Sequence, residues 1–452
     1  MPNHKSSMVR DLFETFGANA LLVSLGALTS IVIARILGPA MRGELAVILL
    51  WSGIFSTLGS FGINESLGYF SGIRAAKRWK YLHTSVLVTA SAAIVLFIPF
   101  VFSIPVLMKT YSARVIHLGM VSVGFGLFFI PQFMLAQSYL QGNGLIRHLN
   151  LINLLNGLLY FCFILIIWMF FPRGDQDLGL TVTAYIATFL ILLFISFTLL
   201  TMLRRKEWES WNEGFWSLGY SELKNLLKYG SPVTIANLLN QTSTKLDQIF
   251  LSFLVSPELI GFYAVALSTS TGISVSALTI STIGFPRITN ACKIEERKSV
   301  IRKLFLSYYF SVVPIFLLTL FAVPYLIPTL FGSAFTGAVK ASQIFLGGAL
   351  FVGLNQIFTT ILKALGLPRY VMGCRVLALG LLGLCLSLLV PKYDILGAAW
   401  AVVISNSMAS VLTILLVSDK AGIQAFDMVI PRKEDMKTIR ETLLKLRGFG
   451  QD

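Results

Sequence analysis

One stretch of this chain combines polar groups with an apolar background. Asn237, Asn240, Gln241, Thr244, Lys245 and Gln248 recur at spacings of three and four. On a helix that spacing makes a single stripe. Amides and hydroxyls along a stripe can hydrogen-bond a hydroxyl-rich solute, and Lys245 can meet an anion. Asp247 lies at the border of the stripe, and Glu65 is a second carboxylate inside an apolar run. Either acid could bind H+ or Na+ and couple it to another process, or serve as a counter-ion to Lys245. Arg35 stands beside the Leu37-Gly38-Pro39 corner, where it could hold an anion or reach to the lipid headgroups. Asn19 shares a face with Gly26 and Ser30, and Asn355, Gln356, Thr359 and Asn406 add polar groups near the other end of the chain. Two uses fit such groups: lining a cavity, or sealing a polar seam against a neighbouring helix.

The elements that carry these groups are hydrophobic. Of 452 residues, 56% are apolar and 13% charged, about half the charge of an ordinary soluble chain. A crossing of the bilayer needs roughly 20 mainly apolar residues. Twelve runs qualify: about 13–37, 45–71, 82–108, 115–140, 148–171, 179–203, 229–254, 258–286, 303–331, 338–363, 370–390 and 395–417. Each must be helical, because lipid offers the backbone no hydrogen-bond partners. The first run is too long for a signal peptide and acts as its own insertion signal.

The net charge of +15 is distributed by loop, not by face. Placing the N-terminus inside leaves only Arg42, Lys109, Arg114, Arg173 and Lys392 on outer loops, with most other cations on inner segments. That asymmetry puts both termini in the cytoplasm and argues against nucleic acid as a partner. Outer loops are short and hold no external domain. No phosphate loop, metal-ligand spacing, nucleophile elbow or cofactor motif is present, so the sequence favours a transporter over an enzyme and calls for no cofactor.

The chain repeats itself. Leu37-Gly38-Pro39 followed by Gly43 corresponds to Val255-Ser256-Pro257 followed by Gly261, at an offset of 218. At the same offset Ala18-Asn19 matches Ala236-Asn237, and Leu178-Gly179 matches Leu396-Gly397. Gly144-Leu145 matches Gly366-Leu367 at 222. The reading is two six-helix bundles, 1–203 and 229–417, joined by an interfacial amphipathic linker over 204–228 with Trp208, Trp211, Phe215 and Leu218 on one face, and followed by a basic tail over 418–452.

Four motifs, in order, resemble the O-antigen type polysaccharide flippases of the multidrug/oligosaccharidyl-lipid/polysaccharide (MOP) exporter superfamily. They are Arg35-Ile-Leu-Gly38-Pro39-Ala-Met-Arg42-Gly43-Glu44; Gly62-Ile-Asn-Glu65-Ser-Leu-Gly-Tyr69-Phe70; Leu140-Gln141-Gly142-Asn143-Gly144; and Leu362-Lys-Ala-Leu-Gly366. The resemblance implies an all-α polytopic fold of two six-helix bundles in a V shape. It implies alternating access and transfer of an undecaprenyl-pyrophosphate-linked repeat unit from the inner to the outer leaflet of a bacterial inner membrane. Lys245 and Arg35 would then meet the pyrophosphate, the polar stripe the sugars, and membrane lipids the tail. A polymerase of the same pathway is a possible partner. In the related lipid II flippases a cation site draws acids from helices seven and eleven; here span seven has Asp247, while span eleven has Arg375 and no acid. The alternative is a cation-coupled multidrug exporter of the same fold.

Overall fold

The computed structural model describes residues 4–73, 77–171, 177–205, 219–290 and 293–421. Among these residues the chain is helical throughout, with no strand: α1 (His4–Ser60), α2 (Ile63–Ile73), α3 (Arg78–Leu107), α4 (Ala113–Gly142), α5 (Ile146–Phe170), α6 (Asp177–Arg205), α7 (Tyr220–Leu254), α8 (Pro257–Asn290), α9 (Ile294–Leu330), a short 3-10 turn (Ser333–Phe335), α10 (Ala338–Ala364) and α11 (Pro368–Ala421).

Eight of the described helices contain segments long and apolar enough to cross a membrane. Two of these segments are twice the necessary length. The apolar part of α1 covers 42 residues, and that of α11 covers 52. At ~1.5 Å per residue these are roughly 63 and 78 Å long, against a hydrocarbon layer of about 30 Å. Each is broken near its middle. Gly38 takes φ 67° and ψ 179°, and Asp394 takes φ 48° and ψ −128°. Gly38 reaches this conformation without a side-chain clash, and Pro39 directly after it suits the first turn of a new helix. The two breaks restore two crossings from each long helix. The remaining pair of expected spans fall on α7 and α8, whose residues are described only in part.

The second expected span, 45–71, is not one helix. It ends at Ser60, turns through Phe61 and Gly62 at φ 47° and 63°, and resumes as α2. The expected linker over 204–228 lies mostly on residues 206–218, outside the described ones. From Tyr220 its end is already the first turns of α7. The four linker residues Trp208, Trp211, Phe215 and Leu218, and the tail from residue 422, also lie outside the described residues.

By compactness the chain divides into two units. One holds the residues through Ala264 together with Leu330–Phe335; the other holds Val265–Thr329 and the residues from Thr336 on. In the first unit Ile63, Leu67, Tyr81, Phe133, Tyr139, Leu140, Ile152 and Leu192 build a core in which all are nearly inaccessible. Small residues bring α2 and α4 to backbone contact there, with Gly68 against Ser138 and Gly72 against Gly142. In lipid such close approach replaces the hydrophobic drive that water would supply. In the second unit Phe305, Tyr308, Phe358 and Leu346 are the buried centre. The Tyr308 hydroxyl donates to the Leu350 carbonyl at 2.7 Å, beside Gly353.

The repeat is visible in two pieces of local geometry. After α4, Leu145 N–H donates to the Leu140 carbonyl at 2.9 Å and Gly144 N–H to the Gln141 carbonyl at 3.1 Å. After α10, Leu367 N–H donates to the Leu362 carbonyl at 2.9 Å and Gly366 N–H to the Lys363 carbonyl at 3.0 Å. Both are Schellman caps, with glycine at φ 71° and 76°. The second piece is a contact. A Cβ on Gly43 would overlap the backbone of Pro257, and a Cβ on Gly261 would overlap the backbone of Pro39. Pro39 and Gly43 of the first repeat are the counterparts of Pro257 and Gly261 of the second. The contact is therefore reciprocal, as at a two-fold interface.

Substituting Gly43 or Gly261 by valine should destabilise the protein by about 1–3 kcal/mol or more through overpacking against backbone. Gly53, beside which an added Cβ meets nothing within 4 Å, is the control and should tolerate alanine. Thermal unfolding of the detergent-solubilised variants, followed by size exclusion, checks both.

Candidate functional site

The polar stripe of α7 faces the end of α1 and the start of α2, all within the first unit. The approach is close because glycines permit it. Gly62 meets the Gly230 carbonyl and Thr234, and the Ser66 hydroxyl donates to the Leu226 carbonyl at 3.0 Å. From that anchor α7 runs along α1, and its polar side chains meet those of α1 and α2. Asn237 Nδ2 donates to Glu65 Oε1 at 2.6 Å, and Gln241 Nε2 donates to Thr57 Oγ1 at 2.9 Å. Thr57 passes its own proton to the Gly53 carbonyl at 2.9 Å, which leaves its lone pair for Gln241.

These groups line an open cavity of about 350 Å³, walled by Thr57, Ser60, Asn64, Glu65, Met134, Asn237, Gln241 and Thr244. Asn64 is 3% exposed, and its Oδ1 has no hydrogen-bond partner among the described residues. A buried acceptor of this kind ordinarily has a donor. The cavity thus offers one carboxylate already held by an amide, two further amide-bearing or hydroxyl groups from α7, and one apolar wall from Met134. It can bind an uncharged polyhydroxyl group or a cation. Among the described residues that wall it there is no Lys or Arg.

Of the residues singled out from sequence, the structure brings Glu65, Asn237, Gln241 and Thr244 together here. Lys245 is half-buried on α7, and Gln248 follows one turn after Thr244; neither is in the cavity wall. Asn19 is exposed on α1, away from that wall. The side chain of Asn240 lies outside the described residues. Arg35 is exposed, and its Nε donates to the Leu330 carbonyl at 2.6 Å, tying the end of α9 to α1. The two acids are engaged separately. Glu65 takes Asn237, whereas Asp247 is 5% exposed and accepts from the Tyr263 hydroxyl of α8 and from Gln248 N–H at 2.8 Å. Asp247 is thus part of the joint between α7 and α8.

Asn355 belongs to another environment, in the second unit. Its Nδ2 donates to the Asn406 carbonyl at 3.0 Å, and its Oδ1 accepts from the Ser410 hydroxyl at 3.1 Å and the Thr413 hydroxyl at 3.3 Å. That is a saturated seam between α10 and α11. Sequence spacing did not suggest Thr57, Ser60 or Asn64 as site residues, although they fall three and four apart. The turn at Phe61 and Gly62, which re-aims Asn64 and Glu65 toward α7, is what unites them.

A fold of broken and tightly packed apolar helices, with a polar pocket among them, defines a multi-pass membrane protein. The polysaccharide biosynthesis protein family matches residues 8–292, well over half of the chain, and this chain belongs to that family. In the solved structures the fold recurs in the lipid II flippase MurJ in an inward closed conformation (TM-score 0.71, 14% identity, 92% of this chain and 91% of that one). It recurs in an inward-facing multidrug resistance MATE transporter of the MOP superfamily (0.68, 14%, 88% and 94%). It is also similar to a MOP superfamily transporter from Pyrococcus furiosus (0.58, 14%, 92% and 95%). At these identities the likeness establishes the MOP fold. Among curated proteins the chain is 28% identical over 183 residues to an uncharacterized membrane protein of Methanocaldococcus jannaschii. That match takes in 39% of this chain and 36% of the relative, so the chain spans about a third of the relative's length.

Asn355→Leu tests the seam. It strands the Asn406, Ser410 and Thr413 partners and should destabilise the protein by about 1–3 kcal/mol. Transport per folded molecule should stay within about two-fold of wild type. Thermal unfolding beside a transport assay normalised to folded protein separates the two effects.

Proposed function

We propose that this protein is a flippase for an undecaprenyl-pyrophosphate-linked oligosaccharide repeat unit. It moves the unit from the inner to the outer leaflet of a bacterial cytoplasmic membrane by alternating access. The product serves cell-surface polysaccharide biosynthesis, of which O-antigen and lipopolysaccharide assembly are examples. The observation that carries this reading is the cavity between α1, α2 and α7. It is lined by amides and hydroxyls inside an otherwise apolar chain, and these take hydrogen-bond donors from whatever enters. Sugar hydroxyls supply such donors, and burying these groups without a partner would be costly. Membership of the polysaccharide biosynthesis protein family supports the same substrate class.

In this reading Lys245 and Arg35 meet the pyrophosphate, and Asn19, Asn240 and Gln248 join the polar lining in other conformations of the cycle. The halves 1–203 and 229–417 are the moving bundles, and 204–228 is their cytoplasmic linker. Glu65 and Asp247 are the groups available for coupling to H+ or Na+. A polymerase of the same pathway would receive the flipped unit.

A second reading draws on one feature. Glu65 is the charged side chain in the cavity wall, and a carboxylate there also suits an organic cation. A multidrug exporter of the same fold would use it so. The amide-rich wall and the family favour the sugar-lipid.

The decisive measurement is the leaflet distribution of lipid-linked oligosaccharides in the host without this chain. A membrane-impermeant sugar-modifying enzyme on oriented vesicles should find them accumulated on the cytoplasmic side, and the restored gene should relieve the accumulation. Normal distribution with raised sensitivity to cationic drugs would favour the exporter. Lys245→Ala should slow flipping at least ten-fold, a loss of about 1.4 kcal/mol, at unchanged protein level. Glu65→Gln preserves the acceptor for Asn237, so stability should change by less than about 0.5 kcal/mol. If Glu65 carries the coupling ion, imposed H+ or Na+ gradients should no longer accelerate flipping in proteoliposomes.

A further inference from the structure

Arg42 was placed on an outer loop by its position in the sequence. The structure puts it inside α1, four residues past the Gly38 break, where the helix has folded back beside its own first half. Its Nη2 donates to the Ser30 hydroxyl at 3.3 Å, a long bond to a neutral group. Its Nε is buried and has no partner. Among the described residues no carboxylate forms an ion pair with this guanidinium. Tyr160 of α5 lies within electrostatic reach of Arg42. Its hydroxyl is also buried and also lacks a partner. The Tyr160 ring packs edge-on against Tyr185 of α6, centroids 6.1 Å apart, which fixes its position. The acid nearest in sequence, Glu44, is two residues on and so points to the far side of the helix, toward Arg114.

A buried cation with one weak neutral bond is costly unless something completes it. The vacant donors are of one kind. Arg42 Nε–H and the Tyr160 O–H are both suited to oxygen atoms bearing negative charge. Ser30, 9% exposed, adds a hydroxyl already turned to the same guanidinium.

We propose that Arg42, Tyr160 and Ser30 form an oxyanion-binding site within the first unit, separate from the cavity at Glu65 and Asn237, that takes a singly charged phosphate. One guanidinium neutralises one charge, and the two hydroxyls complete the oxygen shell. The phosphate arrives either on a lipid or free in solution.

The test is a binding titration on the purified full-length chain in neutral detergent, read by thermal unfolding. The lipid-borne probe is farnesyl phosphate, the free probe is inorganic phosphate, and phosphatidylcholine is the uncharged control. Farnesyl phosphate, inorganic phosphate or both should raise the unfolding temperature of the wild type; whichever acts at lower concentration identifies the source. Arg42→Gln should need at least ten-fold more of that probe for half the effect, Arg42→Lys less than that, and Tyr160→Phe about three- to ten-fold more. Lys392→Gln, which removes an exposed charge elsewhere, should titrate as wild type. Equal half-saturation in wild type, R42Q and Y160F would overturn the site, as would no response to either probe or an equal loss in K392Q. Because Y160F keeps Arg42 in place, it decides the matter even if R42Q does not fold. The assay reads binding alone, so its outcome is independent of whether the chain flips a sugar-lipid.

Discussion

The corners of the two repeats touch backbone to backbone, and little else in the first unit could be arranged as it is without that contact. Gly43 packs on Pro257 while Gly261 packs on Pro39, each glycine leaving the space that the other corner's proline backbone fills. The break at Gly38 turns α1 back on itself, so that Pro39 and Gly43 are presented for this contact. The same turn carries Arg42 back beside Ser30 and starts the helix that ends at Thr57 and Ser60. Replacing either glycine would separate surfaces that have no flexible side chain to yield.

Polar groups in this chain have three different uses, and burial alone does not distinguish them. Asn355 is saturated by Asn406, Ser410 and Thr413, so it joins two helices and has nothing left for a ligand. Asp247 is likewise engaged by Tyr263 and Gln248 N–H at the turn from α7 to α8. Asn64 Oδ1, Tyr160 Oη and Arg42 Nε are buried without partners. Each such group costs about 1–3 kcal/mol, more where charged. A fold kept at that cost gains from what the groups bind. The surroundings of these groups differ in sign: amides and a carboxylate around Asn64, a guanidinium and hydroxyls around Tyr160.

Much of this was legible in the sequence. Lipid forces any crossing segment to be helical, so apolar run lengths located the crossings, including both halves of α1 and α11. The 218-residue offset anticipated the matching corners, and Gly144 and Gly366 anticipated the matching caps, because few residues other than glycine adopt their backbone angles readily. The spacing of Asn237, Gln241 and Thr244 fixed them on one face, since helical periodicity is local.

Which neighbour that face meets is not local. Glu65 and Asn64 reach α7 only because the chain turns at Phe61 and Gly62 and because glycines let α7 approach. Asn355 has the same residue type as Asn237 and a comparable setting in sequence, yet its partners join α10 to α11, whereas Asn237 meets Glu65 in a cavity wall. Arg42 shows the limit most plainly: charge next to a Gly-Pro corner suggests a loop, and only the folding back of α1 makes it an interior cation. Sequence determined the helices, the repeat and the class of chemistry, because those depend on neighbours along the chain. Tertiary structure alone decided which polar groups remain unsatisfied, because that depends on every group brought near them through space.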